Sequence, residues 1–182
     1  MQVRTERKAK VGPTVWRFDP SHSVAEFSIT NFLFLTVVGR LTPLEGTIVL
    51  DECEIERSSV AATFRADSIS TGNRRRDAQL RSSHFLGAQD HPNIQFQSSK
   101  VESGKDRDML SITGLLTIKG KSSEVVLDVT EVDRSRSPQG EEVIYYTAAT
   151  VLDRCDWGIN YARGVIGRKL KVTISVQASR PL

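Results

Sequence analysis

The stretch Ser59–Ser99, SVAATFRADSISTGNRRRDAQLRSSHFLGAQDHPNIQFQSS, decides how this chain is read. Its opening keeps a strict period of two. Val60, Ala62, Phe64 and Ala66 face one way, and Ser59, Ala61, Thr63, Arg65 and Asp67 face the other. Such alternation sends successive side chains to opposite faces of a half-buried strand. From Asp67 to Ser99 the pattern breaks. The chain turns at Thr71-Gly72-Asn73, runs through a basic helical excursion around residues 73–86, and crosses a loop closed by His91-Pro92. Alternation resumes at Ile94-Gln95-Phe96-Gln97-Ser98. A helical excursion inside an all-β chain plugs, caps or decorates whatever the sheet encloses.

On either side the pattern is that of sheet. Val15–Phe18 reads as a first strand stopped by Asp19-Pro20. A second follows with Ala25, Phe27 and Ile29 inward, and short strands are expected at Val37–Leu41 and Gly46–Leu50, around Thr42-Pro43. Asn31-Phe32-Leu33-Phe34 between them is too apolar for an ordinary turn. Met109–Lys119 places Leu110, Ile112, Leu116 and Ile118 on one face, Lys119-Gly120-Lys121 turns the chain, and Glu124–Val132 returns. After an exposed loop at Ser135–Gly140, Glu142–Leu152 runs into a corner at Asp153–Gly158, and Leu170–Ala178 closes the chain. About eight strands with hairpin-length connections predict an antiparallel sandwich or barrel, between which periodicity does not choose. A barrel of that size either fills with its own side chains or holds one slender apolar ligand.

Length, charge and composition narrow the function. With 182 residues, one domain over 14–182 is expected behind a basic leader at 1–13. A net charge of +3 does not call for nucleic acid. No apolar run nears the roughly 18 residues of a membrane span, and no apolar stretch backs the basic N-terminus. The expectation is a cytoplasmic protein with Cys53 and Cys155 reduced and no stable membrane insertion. His22, His84 and His91 lack metal-ligand spacing, so neither a metal nor a cofactor is expected. Ser21-His22-Ser23 lacks a nucleophile elbow, and no catalytic group stands out. Arg74-Arg75-Arg76, near a helix start, is a candidate anion contact. The alternatives are a barrel enzyme using those histidines on a small lipid-like substrate, and a ligand-free structural or stress protein.

Four blocks carry a family resemblance. Trp16-Arg17-Phe18-Asp19-Pro20-Ser21-His22-Ser23 with Val24-Ala25-Glu26-Phe27 resembles the opening of YceI-like proteins. Thr71-Gly72, Arg76-Asp77, Leu80, Phe85, Pro92, Phe96 and Ser98 resemble the family's most specific stretch. Ile112–Gly120 is similar to its Gly-x-Leu-Thr-x-x-Gly hairpin, and Arg154-Cys155-Asp156-Trp157-Gly158 to its Arg-x-Asp-x-Gly corner. The blocks fall in family order over roughly Thr14–Ala178. Thr30-Asn31 stands where many relatives carry a histidine, so no role of that histidine carries over.

The resemblance implies an all-β, extended lipocalin-like antiparallel barrel around an apolar tunnel. It also implies non-enzymatic binding, transport or storage of an isoprenoid-type lipid, either a polyprenyl chain or a prenyl-quinone tail, and a homodimer in many relatives. On that reading Phe27, Phe64 and Phe96 line the barrel. Phe32, Phe34, Leu80, Phe85 and Trp157 lie near the tunnel ends, and Arg74, Arg75 and Arg76 are candidate head-group contacts. The segment Asp67–Ser99 becomes the lid.

Overall fold

The computed structural model describes residues 12–42, 44–106 and 108–180, so residues 1–11 of the expected leader lie outside the described residues. Strands β1 (Thr14–Phe18), β2 (Val24–Asn31), β3 (Thr36–Leu41), β4 (Leu44–Leu50) and β5 (Ser59–Arg65) precede one helix, α1 (Arg74–Arg81). Strands β6 (Asn93–Ser103), β7 (Met109–Ile118), β8 (Lys121–Arg136), β9 (Glu142–Asp153) and β10 (Ile166–Arg180) follow it. Hydrogen bonding runs β1-β4-β5-β6-β7-β8-β9-β10, and β1 pairs β10. That closes an antiparallel barrel of eight strand positions, the architecture the resemblance implies and one of the two the alternation leaves open.

The remaining two strands explain where the barrel opens. Both β1 and β2 lie antiparallel on β10: β1 against Ala178 and Ser179, β2 against Ile166–Ser175. They are one strand position interrupted at Asp19-Pro20, where the fixed proline φ breaks the ladder. Gln177 bridges the gap, its carbonyl accepting from Asp19 N at 2.8 Å and its N–H donating to the Ser23 hydroxyl at 3.1 Å. Likewise β4 pairs β1 and β5, whereas β3 pairs β2 alone. Beyond the break β3 therefore leaves the ring. A single bridge, Arg40 to Ser70, ties it to the segment that fills the gap.

Residues 66–92 are that segment. Asn73 caps α1 by accepting from Arg76 N at 3.0 Å, which satisfies one of the free amides of the first turn. The hairpin β7–β8 turns through Lys119 and Gly120, both at positive φ (52° and 72°), the twist a two-residue antiparallel turn requires. Strands β8 and β9 run on to Arg136 and from Glu142, so the expected Ser135–Gly140 loop shrinks to a tight turn. This turn and the connections after β4 and β6 gather at one end of the barrel. The turn after β2, the α1 segment, the β7–β8 turn and the corner after β9 gather at the other, the mouth.

Inward side chains follow the alternation: Phe64, Ile94, Phe96, Val101, Ile112, Leu127, Val129 and Ile144 are buried in one core. Around the narrow end Trp16 is wholly buried, with the guanidinium groups of Arg134 and Arg180 at 5.7 and 4.9 Å from its ring centre. Gly114 serves the packing differently. The Phe96 ring lies across it, and a Cβ there would meet Gln97 O at 2.5 Å. A backbone carbonyl inside the sheet cannot retreat, so Gly114→Ala should destabilise by roughly 1–3 kcal/mol. At about 2–4 °C per kcal/mol for a chain of this size, thermal melting reads that directly; an unchanged midpoint would refute the close approach.

Candidate functional site

Two cavities occupy the barrel axis. The larger, about 400 Å³, lies at the mouth, and its lining includes Phe27, Ile29, Leu80, Phe85 and Trp157. The smaller, about 100 Å³, lies deeper, with Phe18, Phe64, Phe96 and Ile112 among its walls. Phe64, Leu116 and Ile174 line both, so the two adjoin there along the barrel lumen. An engineered apolar cavity of roughly 150 Å³ takes one benzene. On that scale the lumen has room for on the order of 20 carbons.

Each wall has a local cause. The odd positions of β2 place Ala25, Phe27 and Ile29 inward. The side chain of α1 at Leu80 shares a face with Arg76 one turn earlier, so both reach the mouth cavity. Trp157 sits in the corner after β9, where its Nε1 donates to Leu116 O at 2.8 Å. The corner is held by Arg154, buried at 4% exposure. Its guanidinium donates to the carbonyls of Gly167 (2.9 Å), Ile159 (2.8 Å), Tyr161 (2.8 Å) and Ile166 (3.1 Å). The corner motif is legible in the sequence, and this role is not. A basic residue beside an apolar tryptophan and a glycine was the available signal.

The α1 segment is latched by a compact network. The carboxylate of Asp77 accepts from Thr71 N at 2.9 Å and from Thr71 Oγ1 at 2.5 Å. Arg76 Nε donates to Thr71 Oγ1 at 2.8 Å, and Arg81 donates to the carbonyls of Asp67 (2.7 Å) and Ile69 (3.0 Å). The bond from Thr71, helped by the positive charges of Arg81 and Arg76, holds the Asp77 pKa below the ordinary 3.8. A carboxylate depressed in the folded state adds stability above its unfolded pKa, and loses it as pH falls through the folded value. The latch should therefore be intact at neutral pH and weaken below about pH 4. Protection factors at Thr71 and through α1, each referred to the intrinsic exchange rate at its own pH, should fall severalfold there, and Asp77→Ala should produce the same fall at pH 7. Equal protection in parent and variant would contradict the latch.

The expected site residues fall into two groups. Phe27, Phe64, Leu80, Phe85, Phe96 and Trp157 come together on the lumen wall. Phe32 and Phe34, expected near a tunnel end, are at the mouth end but line neither cavity; they are 58% and 88% exposed. Of the three arginines only Arg76 lines the mouth, whereas Arg74 and Arg75 are exposed on the outer side of α1. Among polar groups Glu26, Asn31, Gln79 and Arg154 also border the mouth cavity, and periodicity gave no hint of them.

The histidines have separate structural partners. His22 Nδ1 lies 2.7 Å from Asp19 Oδ2 at the β1–β2 break, and His84 packs on Tyr161 at 4.9 Å. His91 lies under the Lys119-Gly120 turn. Among the described residues no group of three or more His, Cys, Asp or Glu side chains could hold a metal.

Comparison with known proteins gives the same picture from another direction. The family model of the YceI-like domain matches residues 16–178. A UPF0312 protein of Pectobacterium atrosepticum is 29% identical over 167 residues, covering 91% of this chain and 86% of its own. The crystal structure of Burkholderia cenocepacia BcnA superposes with a TM-score of 0.79 at 16% identity, covering 88% of this chain and 98% of that one. A polyisoprenoid binding domain from Saccharophagus degradans, implicated in plant cell wall breakdown, superposes with a TM-score of 0.65 at 12% identity, covering 91% and 98%.

Proposed function

The chain belongs to the YceI-like family, and from that premise we propose that it binds an isoprenoid-type lipid in the barrel lumen and carries or stores it without chemical change. The observation that carries this reading is the lumen itself: two adjoining cavities with mainly apolar walls, the larger about 400 Å³ and bordered by the α1 segment. Burying a long apolar chain there releases its hydration water and needs no acid, base or nucleophile. The polyisoprenoid binding named for the Saccharophagus neighbour supports the same ligand class. A barrel packed solid with its own side chains leaves no space of about 400 Å³.

In this reading the tail enters past Phe85, Leu80 and Trp157 and its tip reaches Phe64 and Phe96. The head group stays at the mouth beside Arg76, with Gln79 and Asn31 as further polar contacts. Arg74 and Arg75 take no direct part. In this reading Cys53 and Cys155 stay reduced, as cytoplasmic thiols do. The outer edge of β3, last in the hydrogen-bonding order, offers a surface for pairing a second copy. No helix among the described residues is long and apolar enough to cross a membrane.

Trp157 supplies the test. It is 1% exposed and lines the mouth cavity, whereas Trp16 lines neither cavity. Prenyl quinones of graded tail length should quench Trp157 in a Trp16→Phe variant. Affinity should rise with each unit and level off at about four isoprene units, the length that roughly 20 carbons of space admits. No quenching at any tail length would sink the proposal.

A further inference from the structure

The turn between β2 and β3 presents Phe32, Leu33, Phe34 and Leu35 to solvent at 58%, 58%, 88% and 61% exposure. Four consecutive large apolar side chains in water are a defect unless they have a use. The turn is not loose. Asn31 Oδ1 accepts from the amides of Leu33 and Leu35, both at 3.0 Å, and Asn31 O accepts from Phe34 N at 3.0 Å. Phe34 is held at φ 60°, a conformation that asparagine or glycine adopts far more readily than phenylalanine. A bulky ring thus occupies the position where a small polar residue would be more stable, and it points outward.

Charge and position indicate what covers this knob. Phe32 N donates to Val165 O at 3.1 Å, which sets the knob against the loop that carries Arg163. Lys169 and Lys171 follow on β10, and Arg74 and Arg75 stand across the mouth on α1. All five are exposed, and none has a carboxylate partner among the described residues. Of the acids at the mouth end Asp153 is taken up by Arg168 at 2.7 Å and Asp77 by Thr71, leaving Glu26, Asp90, Glu124 and Asp156 exposed. The knob also borders the lumen, since Asn31 and Val37 at its two ends line the mouth cavity. Its apolar surface is on the order of 500 Å² if each side chain carries roughly 150–250 Å². That is short of the roughly 800 Å² per partner of a standard protein interface.

We propose that the Phe32–Leu35 knob inserts into the surface of an anionic lipid bilayer, with Arg163, Lys169, Lys171, Arg74 and Arg75 resting on the head groups, so that the barrel mouth faces the membrane. An apolar tip and a basic surround are the two signals that reversible interfacial binding requires. Docking does not depend on what fills the lumen. The consequence, that an apolar ligand enters and leaves without crossing water, rests on the function proposed above.

Vesicle sedimentation tests the docking. The protein should bind phosphatidylcholine vesicles containing phosphatidylglycerol, and binding to pure phosphatidylcholine should be weaker by about tenfold or more. Raising salt should weaken the anionic binding through screening. Leu33→Ser with Phe34→Asn should lower it at least tenfold without loss of stability, because asparagine suits the positive φ. Arg163→Glu with Lys169→Glu should lower anionic binding and leave the neutral background unchanged. The knob variant should still bind a prenyl quinone added from dilute solution, so loss of docking and loss of lumen binding are read separately. Absence of vesicle binding in the parent overturns the proposal, as does equal binding by the knob variant. A parent dimer that the knob substitutions dissociate, with no vesicle binding, assigns the knob to a second copy and overturns it as well.

Discussion

Replacing Arg154 with alanine is expected to lower the melting temperature by on the order of 10 °C. The side chain is buried and donates four hydrogen bonds to the carbonyls of Ile159, Tyr161, Ile166 and Gly167. Those carbonyls belong to the corner after β9 and to the start of β10, which have no sheet partner on that side. Truncation leaves several buried acceptors without donors, a loss of roughly 3–5 kcal/mol after partial rescue by water. Because Trp157, Ile159 and Ile166 line the mouth cavity, the same variant should also weaken ligand binding. Lysine keeps the charge but not the fork that reaches four carbonyls, so Arg154→Lys should recover only part of the stability. Midpoints within 2 °C of each other for all three proteins, roughly the resolution of about 0.5–1 kcal/mol, would contradict the role.

The second large effect concerns the lumen rather than the fold. Ile174 lines both cavities and pairs across the sheet with Ala25 and Ala148, two small neighbours that leave room for a larger ring. Ile174→Trp should fill the junction and separate the inner 100 Å³ from the mouth. Tryptophan is well suited to a strand, so the barrel should remain closed. A ligand of one or two isoprene units should bind as before. A longer tail would lose the burial of about one unit, roughly 2–4 kcal/mol at about 0.8 kcal/mol per methylene, or thirtyfold and more in Kd. Equal weakening of short and long tails would mean that the tail does not thread the junction.

Much of this barrel is written locally. The alternation of Val60, Ala62 and Phe64, or of Leu110, Ile112, Leu116 and Ile118, is a property of consecutive residues, and each of these side chains reaches the lumen. What was not legible depends on residues far apart. Nothing in Val15–Phe18 and Val24–Asn31 says that both strands lie end to end on β10, so ten strands in sequence become eight positions in space. The register on a strand some 150 positions away decides it. As aromatics in an irregular connection, Phe32 and Phe34 read from sequence as lying near a tunnel end. The Asn31 side chain instead ties the turn into a shape that directs them outward. Arg76 could have been separated from Arg74 and Arg75 in advance, since it stands one helical turn from the apolar Leu80 and they do not.

The position of Asp67–Ser99, too, is fixed by residues distant in sequence. The segment spans the gap that β3 leaves when it departs from the ring, and the Thr71–Asp77 contact fastens it.

The most direct measurement of the central claim is organic extraction of the purified protein followed by mass spectrometry, paired with titration of the stripped protein by prenyl quinones. The account predicts an isoprenoid lipid recovered in a fixed ratio to the chain, and saturable rebinding that Ile174→Trp weakens for long tails only. A protein that yields no lipid and binds no prenyl quinone of any length would contradict it.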